Sequence, residues 1–295
     1  MIPQYPDFRP LQFDDKSVFD KVLAENSPQL SEYTFSNLYA WRGAYAFEVS
    51  LYKAAVILKA QVAAETCFFM PLMSRNTPAP TGVMLSFLEQ TKHTFIRIPE
   101  ELAKILSGNP AVSVVEDRDN ADYLYSTEDL VQLKGTKYDG KRNLIKNFKS
   151  KNRYEYSALT QSHRRAWADF EERWCRAKNC DTIENLDHER TAFKELLTNF
   201  ESLRLVGGAM TIQGEIKAVA LAGKLNPETM VMHVLKADPA ITGLYQAMLN
   251  EFLSREASEY RYVNLEQDLG LAGLRKSKLS YQPVRLVPCY TVRLK

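Results

Sequence analysis

Residues 260–284, YRYVNLEQDLGLAGLRKSKLSYQPV, gather charge where a strand hands over to a helix. Alternation over 261–265 puts Val263 and Leu265 on one face and Tyr262 and Asn264 on the other, which predicts a strand packed on one side only. Glu266, Gln267 and Asp268 follow at its exit. Gly270 and Gly273 then precede Arg275, Lys276 and Lys278 within one or two helical turns, so acidic and basic groups converge on a strand end without pairing along the sequence. Such a mixture suits polar, anionic ligands. Glu266 is placed to hold or deprotonate an attacking amine, and Lys278 to stabilise a developing oxyanion or grip a phosphate. An ion pair from Glu266 to Arg275 or Lys278 explains the same residues structurally. Asn264, Gln267, Arg275 and Tyr281 are candidate substrate contacts, as is Asp268, whose simpler role is to cap the helix.

Working outward, strand and helix patterns recur in two rounds with no low-complexity linker. The first expects an extended 8–12, helices at 15–25 and 32–41, and a meander at 47–51, 54–59 and 66–71. A helix at 82–93, a strand at 94–98, a helix at 100–106 and strands near 111–115 and 123–125 complete it. The second expects a strand at 154–159, helices at 163–177 and 188–200, and strands at 205–212, 215–224 and 229–236. A helix at 242–256, the strand at 261–265 and a last strand at 283–294 follow. This element order is acetyltransferase-like in each half.

At 295 residues, with 45% hydrophobic and 25% charged residues, the chain has material for two globular domains. A formal net charge of +2 excludes a uniformly cationic surface, so nucleic-acid binding requires local clustering. Segment 134–153 supplies a cluster: Lys134, Lys137, Lys141, Arg142, Lys146, Lys149, Lys151 and Arg153, with Asp139 its one acid. On a helix, Arg142, Lys146, Lys149 and Arg153 form a stripe able to track phosphates, with Leu144 and Phe148 as the apolar contact face. A solvated surface helix between two domains gives the same pattern.

No run approaches the ~20 apolar residues of a membrane span and nothing near Met1 resembles a cleavable signal, so a cytoplasmic chain is expected. Cys67, Cys175, Cys180 and Cys289 lack zinc-site spacing and read as buried free thiols, and no metal is expected. His233 shares a strand face with Val231 and Leu235, the setting of a core histidine, with a catalytic base as the alternative.

The run N-L-E-Q-D-L-G-L-A-G-L-R-K-S-K-L-S-Y-x-P from Asn264 resembles the C-terminal signature of a bacterial family that shares the C-terminal domain of phosphatidylglycerol lysyltransferases. Two further stretches are similar to that family: Ser31-Glu32-Tyr33-Thr34-Phe35 with Asn37, Leu38 and Trp41, and L-x-G-x-x-Y-x-x-K-R-N from Leu133 with Phe148. The resemblance implies an α+β fold of two tandem acetyltransferase-like (GNAT-like) domains. Each would be a mixed, mostly antiparallel sheet flanked by helices, as in the aminoacyl-tRNA-dependent transferases that build peptidoglycan bridges. Boundaries are expected at 1–133, 134–153 for a basic connecting helix, and 154–295.

The resemblance also implies aminoacyl-tRNA as donor substrate, with no bound cofactor. Acyl-coenzyme A is the alternative donor, and its diphosphate loop would fall on Ala240-Ile241-Thr242-Gly243-Leu244-Tyr245. That run lacks the cationic or amide first position and puts a bulky ring where phosphate needs close backbone N–H groups. Gly243 serves equally as a helix-start residue. Three readings follow. The first is transfer of an aminoacyl group from tRNA to a small-molecule or peptide amine, or a hydroxyl, with Glu266 and Lys278 at the reacting ester and Lys137, Lys141, Arg142, Lys146 and Lys149 on RNA. The second is acyl-coenzyme A-dependent N-acetylation. The third is a non-catalytic RNA-binding or regulatory module.

Overall fold

Paired left-handed residues close both hairpins of the first meander. Lys53 and Ala54 (φ 49° and 63°) turn the chain once, and Ala63 and Ala64 (φ 49° and 66°) turn it again. Type I′ geometry of this kind matches the twist of antiparallel strands. The computed structural model describes residues 1–74, 80–160, 163–178 and 184–295. They divide into two compact units: Met1–Asp122 with Gln267–Arg275 and Leu286–Lys295, and Tyr123–Glu266 with Lys276–Arg285.

The first unit runs β1 (Arg9–Pro10), α1 (Lys16–Asn26), α2 (Phe35–Ala40), β2 (Glu48–Tyr52), β3 (Ala55–Val62), β4 (Glu65–Phe68), α3 (Pro80–Thr91), β5 (Thr94–Pro99), α4 (Glu100–Ser107) and β6 (Val112–Glu116). Strands β1 to β4 pair antiparallel in sequence order, and β4 pairs parallel with β5. Between β5 and β6 lies β14 (Cys289–Leu294), antiparallel to both. Phe68, Met84, Phe87, Leu88, Phe95 and Val292 pack in one buried cluster on this sheet.

The Ser31–Thr34 stretch is pinned by its polar groups. The Ser31 backbone N–H and hydroxyl both donate to Asp122, at 2.6 and 3.0 Å. Glu32 pairs with the buried Arg97 at 2.8 Å, and Thr34 caps α2 by accepting from the Asn37 N–H. Glu32 is thus the counter-ion of a buried guanidinium, which also reaches Asp117 and Asn120.

The second unit begins with β7 (Asp122–Ser126) and α5 (Thr127–Gln132). There follow α6 (Asp139–Lys151), β8 (Tyr154–Ala158), α7 (Arg164–Lys178), α8 (Glu184–Thr198), β9 (Val206–Ile212), β10 (Glu215–Asn226), β11 (Thr229–Ala237), α9 (Leu244–Glu256) and β12 (Tyr262–Asn264). After α10 (Ala272–Leu279) comes β13 (Arg285–Val287). The sheet order is β13-β7-β12-β11-β10-β9-β8, with β11 and β12 parallel and β12 antiparallel to β7. Helix α9 buries Leu244, Met248 and Phe252 toward β9, β10 and β11.

The two sheets repeat one plan: four antiparallel strands in sequence order, a parallel neighbour, an inserted strand and an edge strand. The α+β reading, with two mixed, mostly antiparallel sheets flanked by helices, therefore holds. Strand placement differs in one respect: β7 inserts into the second sheet and β14 into the first, so each half donates its seventh strand to the other's sheet. The linear partition at 133 and 153 gives way to the interleaved one, and α6 belongs to the second unit. Periodicity predicts that a strand exists, while its partner is a non-local choice the pattern does not encode.

Other expectations change with this topology. The strand expected at 283–294 splits into β13 and β14, with Pro288, which lacks an N–H, between them. Strand β12 is not half-exposed, since Val263 and Asn264 are both fully buried between β11 and β7. Cys67 and Cys289 are free and buried, whereas Cys175 is disulfide-bonded and Cys180 lies outside the described residues. No described helix is long and apolar enough to cross a membrane.

Candidate functional site

In each unit the parallel strands part company at their carboxyl ends. Pairing of β4 with β5 stops at Phe68↔Phe95, and pairing of β11 with β12 stops at Val231↔Asn264. Two residues further along the chain from these pairs lie Met70 and Arg97 in the first unit, and His233 and Glu266 in the second. Arg97 and Glu266 both adopt left-handed backbone, at φ 56° and 58°. The two positions correspond in register and in strain.

Different groups span the two gaps. In the first unit the buried Tyr33 hydroxyl accepts from the Met70 N–H at 3.1 Å and donates to the Arg97 carbonyl at 2.8 Å. Burial raises that phenol well above its ordinary pKa, so it stays neutral. In the second unit the gap is spanned by side chains: His233 Nδ1 lies 3.1 Å from Glu266 Oε1. His233 is the extra residue of a β-bulge, because Leu221 pairs with Val234 and Ala222 with Met232. Bulges of this kind re-aim a side chain beside a site.

Of the residues expected at the strand exit, the second unit brings together Asn264, Glu266 and Lys278. Asn264 Oδ1 accepts the Glu266 N–H at 2.7 Å, which holds the left-handed turn in place. Lys278 Nζ donates to the Leu265 carbonyl at 2.7 Å, so its charge is anchored one residue before Glu266. Glu266 keeps 21% of its side chain accessible while His233 keeps 3%. A bonded partner of Glu266 is thus His233, a residue distant in sequence.

Tyr281 is buried, and desolvation pushes its phenol far up. Its hydroxyl faces Gln246 without a hydrogen bond of normal geometry. The Tyr281 carbonyl accepts from Tyr138, and Lys141 Nζ sits 3.9 Å from the Tyr281 ring centroid. Tyr281 is therefore built into the second unit's scaffold, away from the role of a substrate contact.

Gln267, Asp268 and Arg275 are engaged within the first unit. Gln267 Nε2 donates to Ser31 Oγ and Asp122 Oδ1. Asp268 is fully buried, accepts two bonds from Arg275 at 2.8 and 2.9 Å, and takes the Gly270 N–H at 2.9 Å. Arg118 reaches the same carboxylate and Asp119 reaches Arg275. Asp268 is thus an ion-pair hub and not the helix cap, because α10 starts four residues later.

The basic segment is likewise largely spoken for. Arg142 donates to the carbonyls of Leu133 and Gly135 and pairs with Asp139, tying the start of α6 to the preceding turn. Lys141 donates to Ser280 Oγ at 2.7 Å, and desolvation lowers its pKa. Lys149 binds Glu251 at 2.6 Å, and Lys137 lies 3.8 Å from Asp129. Lys146 and Arg153 are exposed. The apolar face of α6 is Ile145 with Phe148, one residue displaced from the expected Leu144.

The backbone of Leu144 has a role of its own. Gly243 begins α9 at φ 85°, and a Cβ there would meet the Leu144 carbonyl oxygen at 2.4 Å. Helix α6 thus packs so closely against Gly243 that only a residue without a side chain fits there. A separate cleft of about 760 Å³, lined in part by Ser126, Thr127, Arg261 and Tyr262, lies at the opposite end of β12 from Glu266. Ligands of open sheets gather at the carboxyl ends of parallel strands, which favours the Glu266 end. Among the described residues no group of three or more His, Cys, Asp or Glu side chains is placed to hold a metal.

Sequence reasoning left two participants in the background, His233 and Tyr33. The one available signal for His233 was a polar residue within an apolar strand, and for Tyr33 its place in a motif shared with Glu32.

Comparison with known proteins agrees with this architecture. A conserved protein of unknown function from Bacteroides thetaiotaomicron VPI-5482 superposes with a TM-score of 0.88 at 33% identity, over 100% of both chains. The C-terminal domain of a putative lysylphosphatidylglycerol synthetase from Agrobacterium fabrum gives 0.66 at 13% identity, over 95% of this chain and 91% of that one. L-PGS from Bacillus licheniformis gives 0.65 at 14% identity, over 99% and 93%. These last two share the fold. A search of curated proteins finds no match. The family described as phosphatidylglycerol lysyltransferase, C-terminal, matches residues 24–293, and the chain belongs to that family.

Proposed function

We propose that the protein is an aminoacyl transferase that moves an aminoacyl group from aminoacyl-tRNA to an amine or hydroxyl acceptor at the β12 exit of the second unit. Family and fold fit a transferase of the aminoacyl-tRNA-dependent or acetyltransferase-like kind. What supports the tRNA donor is the 240–245 run, which has no cation or amide at its first position, carries the bulky Leu244 and Tyr245 after Gly243, and packs Gly243 directly against the Leu144 carbonyl.

An activated ester reacting with an amine needs positioning, a proton acceptor and charge stabilisation, and no nucleophile triad. In this reading the acceptor nitrogen attacks the ester carbonyl carbon, forming the C–N bond as the ester C–O bond breaks. The proton leaving nitrogen passes to the accessible Glu266 carboxylate and then to the departing ribose oxygen. Lys278, anchored on the Leu265 carbonyl, adds positive charge beside the developing oxyanion.

The test pairs calorimetry against acetyl-coenzyme A with transfer assays using tRNA charged with each amino acid in turn. Loss of label from tRNA into an amide or ester product, with no coenzyme A binding at about millimolar ligand, is the expected result. Micromolar coenzyme A binding with acetyl transfer overturns it. Salt-sensitive tRNA binding without loss of the aminoacyl group would instead favour the RNA-binding module.

A further inference from the structure

We infer that His233 is the positioning residue of this site, fixing the Glu266 carboxylate in its working orientation through the Nδ1–Oε1 contact, and that the matching position in the first unit is a sealed counterpart without this chemistry. The inference rests on the reading above and deepens it.

Four observations meet at this point. His233 occupies a bulge, so the strand itself turns the imidazole out of the regular alternation. Glu266 sits in left-handed backbone, a strained state that persists where surrounding contacts over-determine it, here the Asn264 bond. Exposure divides the pair: the accessible carboxylate can meet a substrate, and the buried imidazole holds it from behind. Gly223 supports the ring from the neighbouring strand, where an added Cβ would lie 3.4 Å from His233 Nε2 and 3.0 Å from Leu205.

The first unit supplies the internal control. At the same register it has a strained residue, but the residue is Arg97, held by Glu32, Asp117 and Asn120. The strand gap there is closed by the Tyr33 hydroxyl on main-chain groups. That arrangement satisfies the backbone and ties the neighbouring carboxylates, Glu32 and Asp117, to the Arg97 guanidinium. The second unit has kept the strain and exchanged the seal for a titratable pair, as a site that moves a proton requires.

The test compares H233N and H233L in the transfer assay with the full-length protein. An asparagine amide can donate to Glu266 from near the Nδ1 position, and leucine keeps bulk without a donor. H233L should lose about 10²-fold in kcat with KM little changed, the scale of a misplaced catalytic group, and H233N should recover most of it. Equal activity of wild type and H233L overturns the inference. So does an H233N as poor as H233L, which marks a packing role only. A wild type that transfers nothing defeats the aminoacyl reading itself, and the pair is then judged by nitrogen-15 NMR. A protected Nδ1 proton on His233 that is lost in E266A supports the positioning contact, and its absence in wild type sinks it.

Discussion

An alanine at 243 would place its Cβ against the Leu144 carbonyl at 2.4 Å in a backbone conformation that disfavours any side chain. G243A should cost about 2–4 kcal/mol, the sum of left-handed strain and overpacking, read as a lower urea midpoint at unchanged slope. Glu251 makes a pH prediction. Burial opposes its ionisation, but hydrogen bonds from Lys149 and Tyr154 prevail and hold its carboxyl below the ordinary value. Its stabilising contribution is complete above the unfolded value of about 4.3 and fades as pH falls through the lower folded value. Thermal melts should therefore show a steeper acid-side loss for wild type than for E251Q. At this scale the sequence was legible for which groups gather at the strand exit: Glu266, Lys278 and Asn264 do converge. The partners of Glu266, Asp268 and Arg142 were not legible, since each bond is chosen by three-dimensional neighbours that charge spacing along the chain leaves open.

Strand and helix positions were read from periodicity within a residue or two for most elements, because amphipathic patterns report burial directly. Helix α5 escaped because Thr127–Gln132 is too short to show a period, although Ser126 caps it by accepting from the Asp129 N–H. The exchange of β7 and β14 escaped because pairing partners lie far away in sequence. It yields a sharp expectation. Deleting residues 288–295 removes the strand between β5 and β6, leaving two strands without a shared partner and removing Val292 from the core. The truncated chain should lose protection of the β5 and β6 amides in hydrogen exchange, and retention of wild-type protection there would contradict the exchanged topology. In the basic segment, Lys146 on α6 and Arg153 just past its end are exposed, and the proposed tRNA binding would draw on them. Reversing both charges should lower the salt slope of tRNA binding by about 1–2, whereas K141M should act mainly on stability.

For the whole molecule, the repeat of one plan with two different bridges is what gives the account its shape. One unit closes its strand gap with a neutral, buried phenol; the other spans it with an imidazole and an accessible carboxylate. With a net charge of only +2, the proposed binding of tRNA would rest on a few local groups, so it should be modest, with a salt slope set by the number of those groups. The most direct test is a single-turnover reaction with radiolabelled aminoacyl-tRNA and an amine acceptor, run with wild type and with E266Q. The account predicts label in a stable amide for wild type and a rate lower by about 10²-fold or more for E266Q. Label that stays on every charged tRNA with wild type, or an E266Q as fast as wild type, would contradict it.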